Sequence, residues 1–206
     1  MAYNYRPSQS TTPVVLNLII INALVFLAQY IFDGPPDPYN LGWLTGKIAL
    51  YSYDSGNFKP YQLVTYMFAH GGIFHILFNM YALWIFGSVL ERSWGPKKFL
   101  IFYLACGLAA GLAQMFLVGG TAVGASGAVM GLLAAFAYTF PNTQFYILPI
   151  PFPIKAKYLA AIYAALDLFG GFSGTDNVAH FAHLGGLVMG FILVIIWNKT
   201  DKKTFY

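Results

Sequence analysis

The chain contains the stretch Gly124-Ala125-Ser126-Gly127, which opens an uncharged apolar segment that continues from Ala128 to Phe140. A hydroxyl at membrane depth costs free energy unless something there needs it. A later apolar segment carries His183. A serine and a histidine on two apolar helices are the residue types of a nucleophile and its general base. The pattern therefore predicts a helical membrane protein with hydrolytic chemistry inside the bilayer.

The composition is that of a membrane protein. Of the 206 residues, 58% are hydrophobic and only 9% are charged, and the mean hydropathy is +0.63. Because soluble domains carry roughly 25% charged residues, the composition excludes an ordinary soluble domain. The formal net charge of +4 comes from basic residues scattered at segment ends, which indicates membrane topology rather than a nucleic-acid partner. The single cysteine, Cys106, excludes an intramolecular disulfide.

Six apolar segments are separated by polar, glycine-rich or proline-rich connections, and a helix needs about 20 residues to span a bilayer. We expect an all-α bundle of six transmembrane helices in residues 13–198. A short polar cytoplasmic N-terminus, residues 1–12, precedes it, and a basic cytoplasmic tail, residues 199–206, follows it. The predicted helices are approximately Val14–Phe32, Phe68–Leu90, Phe99–Val118, Gly124–Phe140, Ala156–Phe169 and Val178–Trp197.

The lysines and arginines predict the orientation. With a cytoplasmic N-terminus, only Lys47 and Lys59 of the 11 basic residues fall outside, which leaves nine inside. We therefore expect both termini in the cytoplasm of a cell (inner) membrane. Ser126 and His183 then lie in the outer half, in a site that opens toward the extracytoplasmic side.

Ser126 begins a short fourth helix. About 15 residues separate Ser126 from Pro141, which gives a helix of about 22 Å, shorter than the hydrocarbon core. Ser126 should thus lie below the outer surface, in a water-filled cavity that satisfies the irregular backbone. The N–H groups and dipole of a helix N-terminus would stabilise an oxyanion there. The alternative is that Gly-x-Ser-Gly is only a packing and capping motif.

His183 is predicted to lie within hydrogen-bonding reach of Ser126, because small residues let two membrane helices approach closely. The glycines expected to make this close packing are Gly127 and Gly131 on the fourth helix and Gly186 and Gly190 on the sixth. His180, one turn before His183, is the competing histidine. The other alternative is a structural histidine bound to a backbone carbonyl.

His75 and Asn79 share one face of the second helix, since they are four residues apart. Both side chains can donate hydrogen bonds, which is what a developing oxyanion requires. A polar clamp between helices is the alternative role, and the two roles are compatible.

Between about Tyr61 and Gly190, the chain carries in order His70, His75, Asn79, Glu91, Gly95, the 124–127 motif, Ala182, His183, Gly186 and Gly190. These motifs and their order resemble those of the rhomboid family of intramembrane serine proteases. The resemblance implies a Ser–His dyad without a third, acidic member. It implies Ser126 as the nucleophile, His183 as the general base, and an oxyanion hole of His75, Asn79 and the Ser126 backbone N–H.

The chain departs from the family pattern at two places. Tyr61-Gln62 stands where the family often has Trp-Arg, and Met130 stands where many members have an aromatic residue packed on the catalytic histidine. Asp167 and Asp176 are the carboxylates nearest to His183 in sequence. Either could in principle orient His183. We expect solvated or interfacial roles for both instead, because a buried anion needs a partner.

The expected activity is that of a serine endopeptidase that cleaves membrane-protein substrates in or near transmembrane segments, with membrane lipids as surroundings and no cofactor or metal. The main alternative is an inactive rhomboid-like protein that binds transmembrane segments. A metal protein that uses the four histidines lacks a His-Glu-x-x-His motif. A transporter would show two symmetric halves with discontinuous helices, and the sequence has no such symmetry.

Overall fold

The computed structural model describes residues 12–35, 37, 40–146, 151–173 and 178–200, and most of them are helical. In chain order the helices are α1 (Pro13–Asp33), α2 (Trp43–Ile48), α3 (Gln62–Thr65), α4 (Ile73–Ala82), α5 (Ser88–Trp94), α6 (Pro96–Leu117), α7 (Ser126–Thr139), α8 (Ala156–Ser173) and α9 (His180–Thr200). The short strands β1 (Leu50–Tyr51) and β2 (Thr121–Ala122) pair antiparallel, as do β3 (Gln144–Phe145) and β4 (Ile154–Lys155).

Each of the six predicted segments overlaps a helical segment of the structure. The protein is a helical membrane bundle. Among the described residues, four helical segments are long and apolar enough to cross a membrane: α1, the continuous run Ile73–Trp94, α6 and α9. Helix α7 is apolar but has only 14 residues, about 21 Å. Helix α8 has 18 residues and is not among the four.

The second segment differs most from its predicted bounds. It begins at Ile73 rather than Phe68, because Gly72 before it is fully extended, with φ 165° and ψ 168°. A π-helical turn at Leu83–Gly87 joins α4 to α5, so the helix continues to Trp94 instead of ending at Leu90. Gly95, with φ 83°, then reverses the chain and lets α6 begin with a proline, a favourable first helical residue.

Glu91 caps the N-terminus of α1. Its two carboxylate oxygens accept hydrogen bonds from the backbone N–H of Val14 (2.9 Å) and of Val15 (2.8 Å), and its side chain is completely buried. The first N–H groups of a helix have no partner within the helix, and the dipole there favours negative charge. A charged residue in an apolar bundle is therefore satisfied by backbone donors.

Helix α7 packs against both α6 and α9, which also pack against each other. Ten of its 14 residues are buried, and most of these are alanine, glycine or leucine. Small side chains on both faces let two neighbouring helices approach at once. The irregular segment that precedes α7 is held at β1 by the pairing of Leu50 with Ala122. The core thus fixes the start of α7, where Ser126 lies.

Candidate active site

Ser126 and His183 lie together on the first turns of α7 and α9. The His183 Nε2 is 2.8 Å from the Ser126 Oγ, a hydrogen-bonding distance between side chains from two separate helices. Both residues are partly exposed. A serine hydroxyl bonded to an imidazole nitrogen is the geometry in which the imidazole can take the hydroxyl proton.

Glycines bring the two backbones into contact beneath this pair. A Cβ on Gly186 would clash with the carbonyl oxygen of Gly127, and a Cβ on Gly190 would clash with that of Gly131. A Cβ on Gly131 would also lie 2.9 Å from the Gly186 carbonyl oxygen. Any larger side chain at these positions would push α9 away from α7 and separate His183 from Ser126.

Asp167 of α8 holds the other side of the imidazole. Its Oδ1 is 2.9 Å from the His183 Nδ1, and the residue is only 4% exposed. Because a carboxylate is only an acceptor, the Nδ1 must carry the proton, and the Nε2 lone pair then accepts from the Ser126 hydroxyl. The expectation of a solvated or interfacial Asp167 is wrong: the carboxylate is buried and has imidazole partners. Asp176 lies outside the described residues.

His180 shares the same carboxylate oxygen. Its Nδ1 is also 2.9 Å from the Asp167 Oδ1, and its ring centroid is 6.4 Å from that of His183 in an edge-on arrangement. A Cβ on Gly170 would clash with the His180 ring, so the absence of a side chain there makes room for it. His180, the competing histidine, therefore faces Asp167, while His183 contacts Ser126.

His75 lies beside Ser126, next to Gly124. A Cβ on Gly124 would be 2.7 Å from the Cε1 and Nε2 of His75 and 3.7 Å from the Ser126 Oγ. The His75 ring and the Ser126 hydroxyl therefore both lie next to Gly124. Gly124 has a φ of 124°, which only glycine adopts readily. The backbone N–H of Gly71 donates to the His75 Nδ1 over 3.3 Å, so in a neutral ring the Nε2 carries a proton. That N–H is a donor beside the Ser126 hydroxyl.

Asn79 is buried one turn farther along α4. Its Nδ2 donates to the His75 carbonyl oxygen over 2.9 Å, which holds the amide against its own helix. Because an amide nitrogen carries two hydrogens, a second donor remains for another acceptor.

His70 belongs to a separate network behind His75. Its backbone N–H donates to the Oε1 of Gln29 (3.0 Å), and the Gln29 amide donates to Thr45 Oγ1 over 2.7 Å. Burial, together with the neighbouring His75, lowers the pKa of His70 to about 3, so this ring is neutral at physiological pH. Thr45 in turn donates to Asp33, which also accepts from the start of α2. The network ties α1 and α2 to the turn that precedes His75.

Sequence reasoning considered Asp167 as a partner of His183 but favoured a solvated or interfacial role for it. A usable signal was present: Asp167 stands in an otherwise apolar helix, and carboxylates at membrane depth are costly and usually functional. At the departure Tyr61-Gln62, the Gln62 Oε1 accepts from the Lys59 N–H over 3.0 Å, and Tyr61 is exposed. Tyr61 directly precedes α3, and Gln62 is the first residue of that helix.

Comparison with known proteins gives a consistent family. Residues 57–199 match the Rhomboid domain family. The chain is 33% identical over 132 residues to Rhomboid protease GluP of Bacillus subtilis, an alignment that covers 64% of this chain and 25% of that protein. It is 36% identical over 143 residues to RHOMBOID-like protein 6, mitochondrial, of Arabidopsis thaliana, covering 68% and 44%. For Presenilin-associated rhomboid-like protein, mitochondrial, of Homo sapiens, the identity is 32% over 147 residues, covering 65% and 38%.

This chain spans less than half the length of each of those three relatives. The Rhomboid match nevertheless takes in most of the chain and includes Ser126, His183 and His75. It also covers the helices that hold them, from α3 to nearly all of α9. This multi-pass helical membrane protein belongs to the rhomboid family.

Proposed function

We propose that the chain is an intramembrane serine endopeptidase that hydrolyses peptide bonds in or near transmembrane segments of membrane-protein substrates. The observation that carries the proposal is the 2.8 Å contact between the His183 Nε2 and the Ser126 Oγ. The buried Asp167 supports it, since the carboxylate selects the tautomer in which the Nε2 can act as a base.

The reaction runs through an acyl-enzyme. His183 takes the Ser126 proton as Oγ attacks the substrate carbonyl, and the resulting imidazolium then protonates the leaving amine. A water, deprotonated by His183, attacks the acyl-enzyme and releases Ser126 with its proton restored. No cofactor or metal takes part.

The oxyanion of the tetrahedral intermediate is stabilised by donors around Ser126. The Ser126 backbone N–H is at the N-terminus of α7, where the helix dipole adds a favourable field. The Nε2–H of His75 and the Asn79 amide are the side-chain donors. Loss of one such donor typically costs about 10²–10³-fold in turnover.

Asp167 makes this arrangement a serine–histidine–carboxylate series rather than a dyad. The carboxylate keeps the proton on the His183 Nδ1 and stabilises the imidazolium as it forms. The proton taken from Ser126 stays on the His183 imidazole and does not pass to Asp167. Asp167 is therefore a positioning residue that acts through His183.

We also propose the membrane arrangement that the charges favour. The domain is residues 13–198, with six spans that include the shorter α7 and α8, and residues 1–12 and 199–206 are cytoplasmic. The site opens toward the extracytoplasmic side of a cell (inner) membrane. Lipids and transmembrane substrates are its partners, and nucleic acid is not.

The test is cleavage of a fluorescently labelled single-span substrate in proteoliposomes. Ser126→Ala and His183→Ala should each lose at least about 10³-fold in rate, and the double variant should be no slower than either, since the pair acts as a unit. Ser93→Ala is the matched control, because the Ser93 hydroxyl is exposed and only donates to the Val89 carbonyl. An intact chain that binds the substrate without cutting it would instead support the inactive rhomboid-like alternative.

A further inference from the structure

We propose that Asp167, His180 and His183 form a binding site for a transition-metal ion of the zinc type, and that the bound ion inhibits the protein. The binding site stands on geometry alone. The inhibition rests on the proposed function, because it acts through the general base.

The three ligand atoms already converge. The Asp167 Oδ1 lies 2.9 Å from the Nδ1 of His180 and 2.9 Å from the Nδ1 of His183, and all three atoms lie within 4.8 Å of one another. Zinc binds oxygen and imidazole nitrogen at about 2.0–2.2 Å, so the ligand atoms of a tetrahedral site lie about 3.4 Å apart. To hold the ion, the carboxylate oxygen must move away from each imidazole nitrogen by about half an ångström, and the two nitrogens must lie about 3.4 Å apart. Rotation of the side chains supplies these shifts without a rearrangement of helices.

The scaffold that presents these ligands is rigid on one side. His180 and His183 are one turn apart on α9, so their side chains project from the same face. Asp167 comes from α8, and Gly170, one turn later, leaves the space that the His180 ring fills. Three protein ligands leave a fourth position for water, as in zinc sites with an open coordination position.

The charge and chemistry of the site favour a transition metal. Asp167 is 4% exposed, and its Oδ2 is buried with no hydrogen-bond partner in the described part of the chain. The partners of its Oδ1 are two imidazoles, and a neutral imidazole brings no positive charge to balance the carboxylate. A buried carboxylate of this kind is stabilised by a cation. Two imidazole nitrogens favour Zn²⁺, Cu²⁺ or Ni²⁺ over Mg²⁺ or Ca²⁺, which take oxygen ligands.

Metal binding would disable the general base through its tautomer. Without the ion, the His183 Nδ1–H donates to Asp167, and the Nε2 lone pair accepts from Ser126. An ion on the Nδ1 atoms of His180 and His183 breaks the Nδ1–H bond of each ring and forms a metal–nitrogen bond there, and each proton moves to Nε2 of its own ring. In His183 this transfer reverses the hydrogen bond to Ser126. The proton count of the ring is unchanged, but Nε2–H now donates to the Ser126 Oγ. It can no longer take the serine proton.

The chain contains a matched control in its other histidine pair. The ring centroids of His70 and His75 are 5.0 Å apart, closer than those of His180 and His183. Among the described residues, however, no carboxylate or thiol completes a third ligand for that pair. If the proximity of two histidines were enough for metal binding, the ion would bind at His70 and His75. The proposal instead requires that it bind at His180 and His183.

The experiment measures binding on the full chain carrying Ser126→Ala, so that activity plays no part. Zn²⁺ binding is followed by titration calorimetry, and Co²⁺ binding by the intensity of its visible absorption bands, which is high in a four-coordinate site. We expect one ion per chain. Adding Asp167→Asn or His180→Ala should weaken binding by more than about tenfold, and adding His70→Ala should leave it unchanged. His180→Asn replaces His180→Ala if the latter does not fold, as judged by its thermal midpoint.

The absence of stoichiometric binding at micromolar ion would overturn the site, as would binding that survives both ligand variants or is lost in His70→Ala. In the chain with Ser126 intact, Zn²⁺ should suppress substrate cleavage, and a chelator should restore it. His180→Ala should be less sensitive to Zn²⁺, relative to its own rate without the ion. A chain that binds the ion but cleaves nothing would refute the proposed function and leave the metal site standing. A chain that cleaves the substrate but binds no ion would refute the metal site and leave the proposed function standing.

Discussion

Helix α9 meets its two neighbours in different ways. Against α7 it buries a row of small residues, and the backbones touch. The members of that row are Ala182, Gly186 and Gly190. Against α8 the contact near the site is polar, through the Asp167 carboxylate and two imidazoles, and α8 buries little else. Backbone packing thus holds Ser126 and His183 together, whereas Asp167 reaches His183 through side-chain hydrogen bonds, beside a ring contact of Phe172 with Phe181.

The largest effect should follow from breaking the α7–α9 contact with Gly186→Ala. The new Cβ would clash with the Gly127 carbonyl oxygen, which is backbone and cannot rotate away. We expect the free energy of unfolding to fall by about 1–3 kcal/mol. Cleavage should fall by about 10²-fold, since small displacements of catalytic groups cost that much. Thermal unfolding and the substrate-cleavage rate measure the two effects.

Gly72→Ala is the control for that change. Gly72 has an extended backbone that any residue adopts, and no heavy atom lies within 4 Å of the position of an added Cβ. Its thermal midpoint should match that of the unchanged protein. If Gly186→Ala were equally stable and active, the close contact of α7 with α9 would not be what holds His183 against Ser126.

Asp167→Asn, at the polar contact, should reduce cleavage at least as much as Gly186→Ala but with a smaller loss of stability, so its combined effect ranks second. An amide can donate to the His183 Nδ1, which would place the ring proton on Nε2 and leave no base for Ser126. We expect kcat to fall by about 10²–10⁴-fold with little change in KM. The thermal midpoint should change less than in Gly186→Ala, because the backbone contact of α9 with α7 remains. Cleavage at the unchanged rate would show that the carboxylate does not position the base.

A smaller effect should follow from Gly170→Ala, which separates the roles of the two histidines. The added Cβ would clash with the His180 ring and leave the Ser126–His183 pair in place. We expect cleavage to change by only a few-fold and Zn²⁺ affinity to fall by about tenfold. Gly171→Ala is its neighbour on α8 and would press instead on the Phe181 ring, at 2.7 Å. That control should retain Zn²⁺ binding. A loss of cleavage as large as in Asp167→Asn would mean that His180 positions the catalytic base.

The smallest effect on activity should come from Glu91→Gln, far from both contacts of α9. The glutamine retains one acceptor for α1 but removes the charge that the helix N-terminus favours. We expect the free energy of unfolding to fall by about 0.5–2 kcal/mol, with cleavage within about twofold. Denaturation followed by circular dichroism, and the cleavage assay, check the two parts. A large loss of activity at unchanged stability would contradict the capping role.

The side of the site that depends on backbone packing was predictable from the sequence. Glycines at regular helical spacing beside Ser126 and beside His183 indicate where two membrane helices touch, and touching helices bring their first turns together. His75 was predictable for a similar reason, since its spacing from Asn79 defines one helix face. These inferences need only helical periodicity and residue size.

The side that depends on α8 was not predictable in the same way. Helix α8 carries small residues on more than one face, with Ala161 and Ala165 exposed and Ala160 and Ala164 half-buried, so the sequence does not show which face Asp167 occupies. Its role depends on a tertiary contact and on the space left at Gly170. The start of α4 was also missed, because the extended backbone of Gly72 interrupts an apolar run that otherwise resembles continuous helix. Local composition does not specify either feature.

The central claim is that the His183 imidazole activates the Ser126 hydroxyl across the contact of α7 with α9. The most direct measurement is reaction of the intact protein with a serine-directed fluorophosphonate, followed by peptide mapping of the adduct by mass spectrometry. We predict a single adduct on Ser126 that is lost in His183→Ala and retained in Ser93→Ala. An adduct on another serine, or equal labelling of Ser126 in His183→Ala, would contradict the claim.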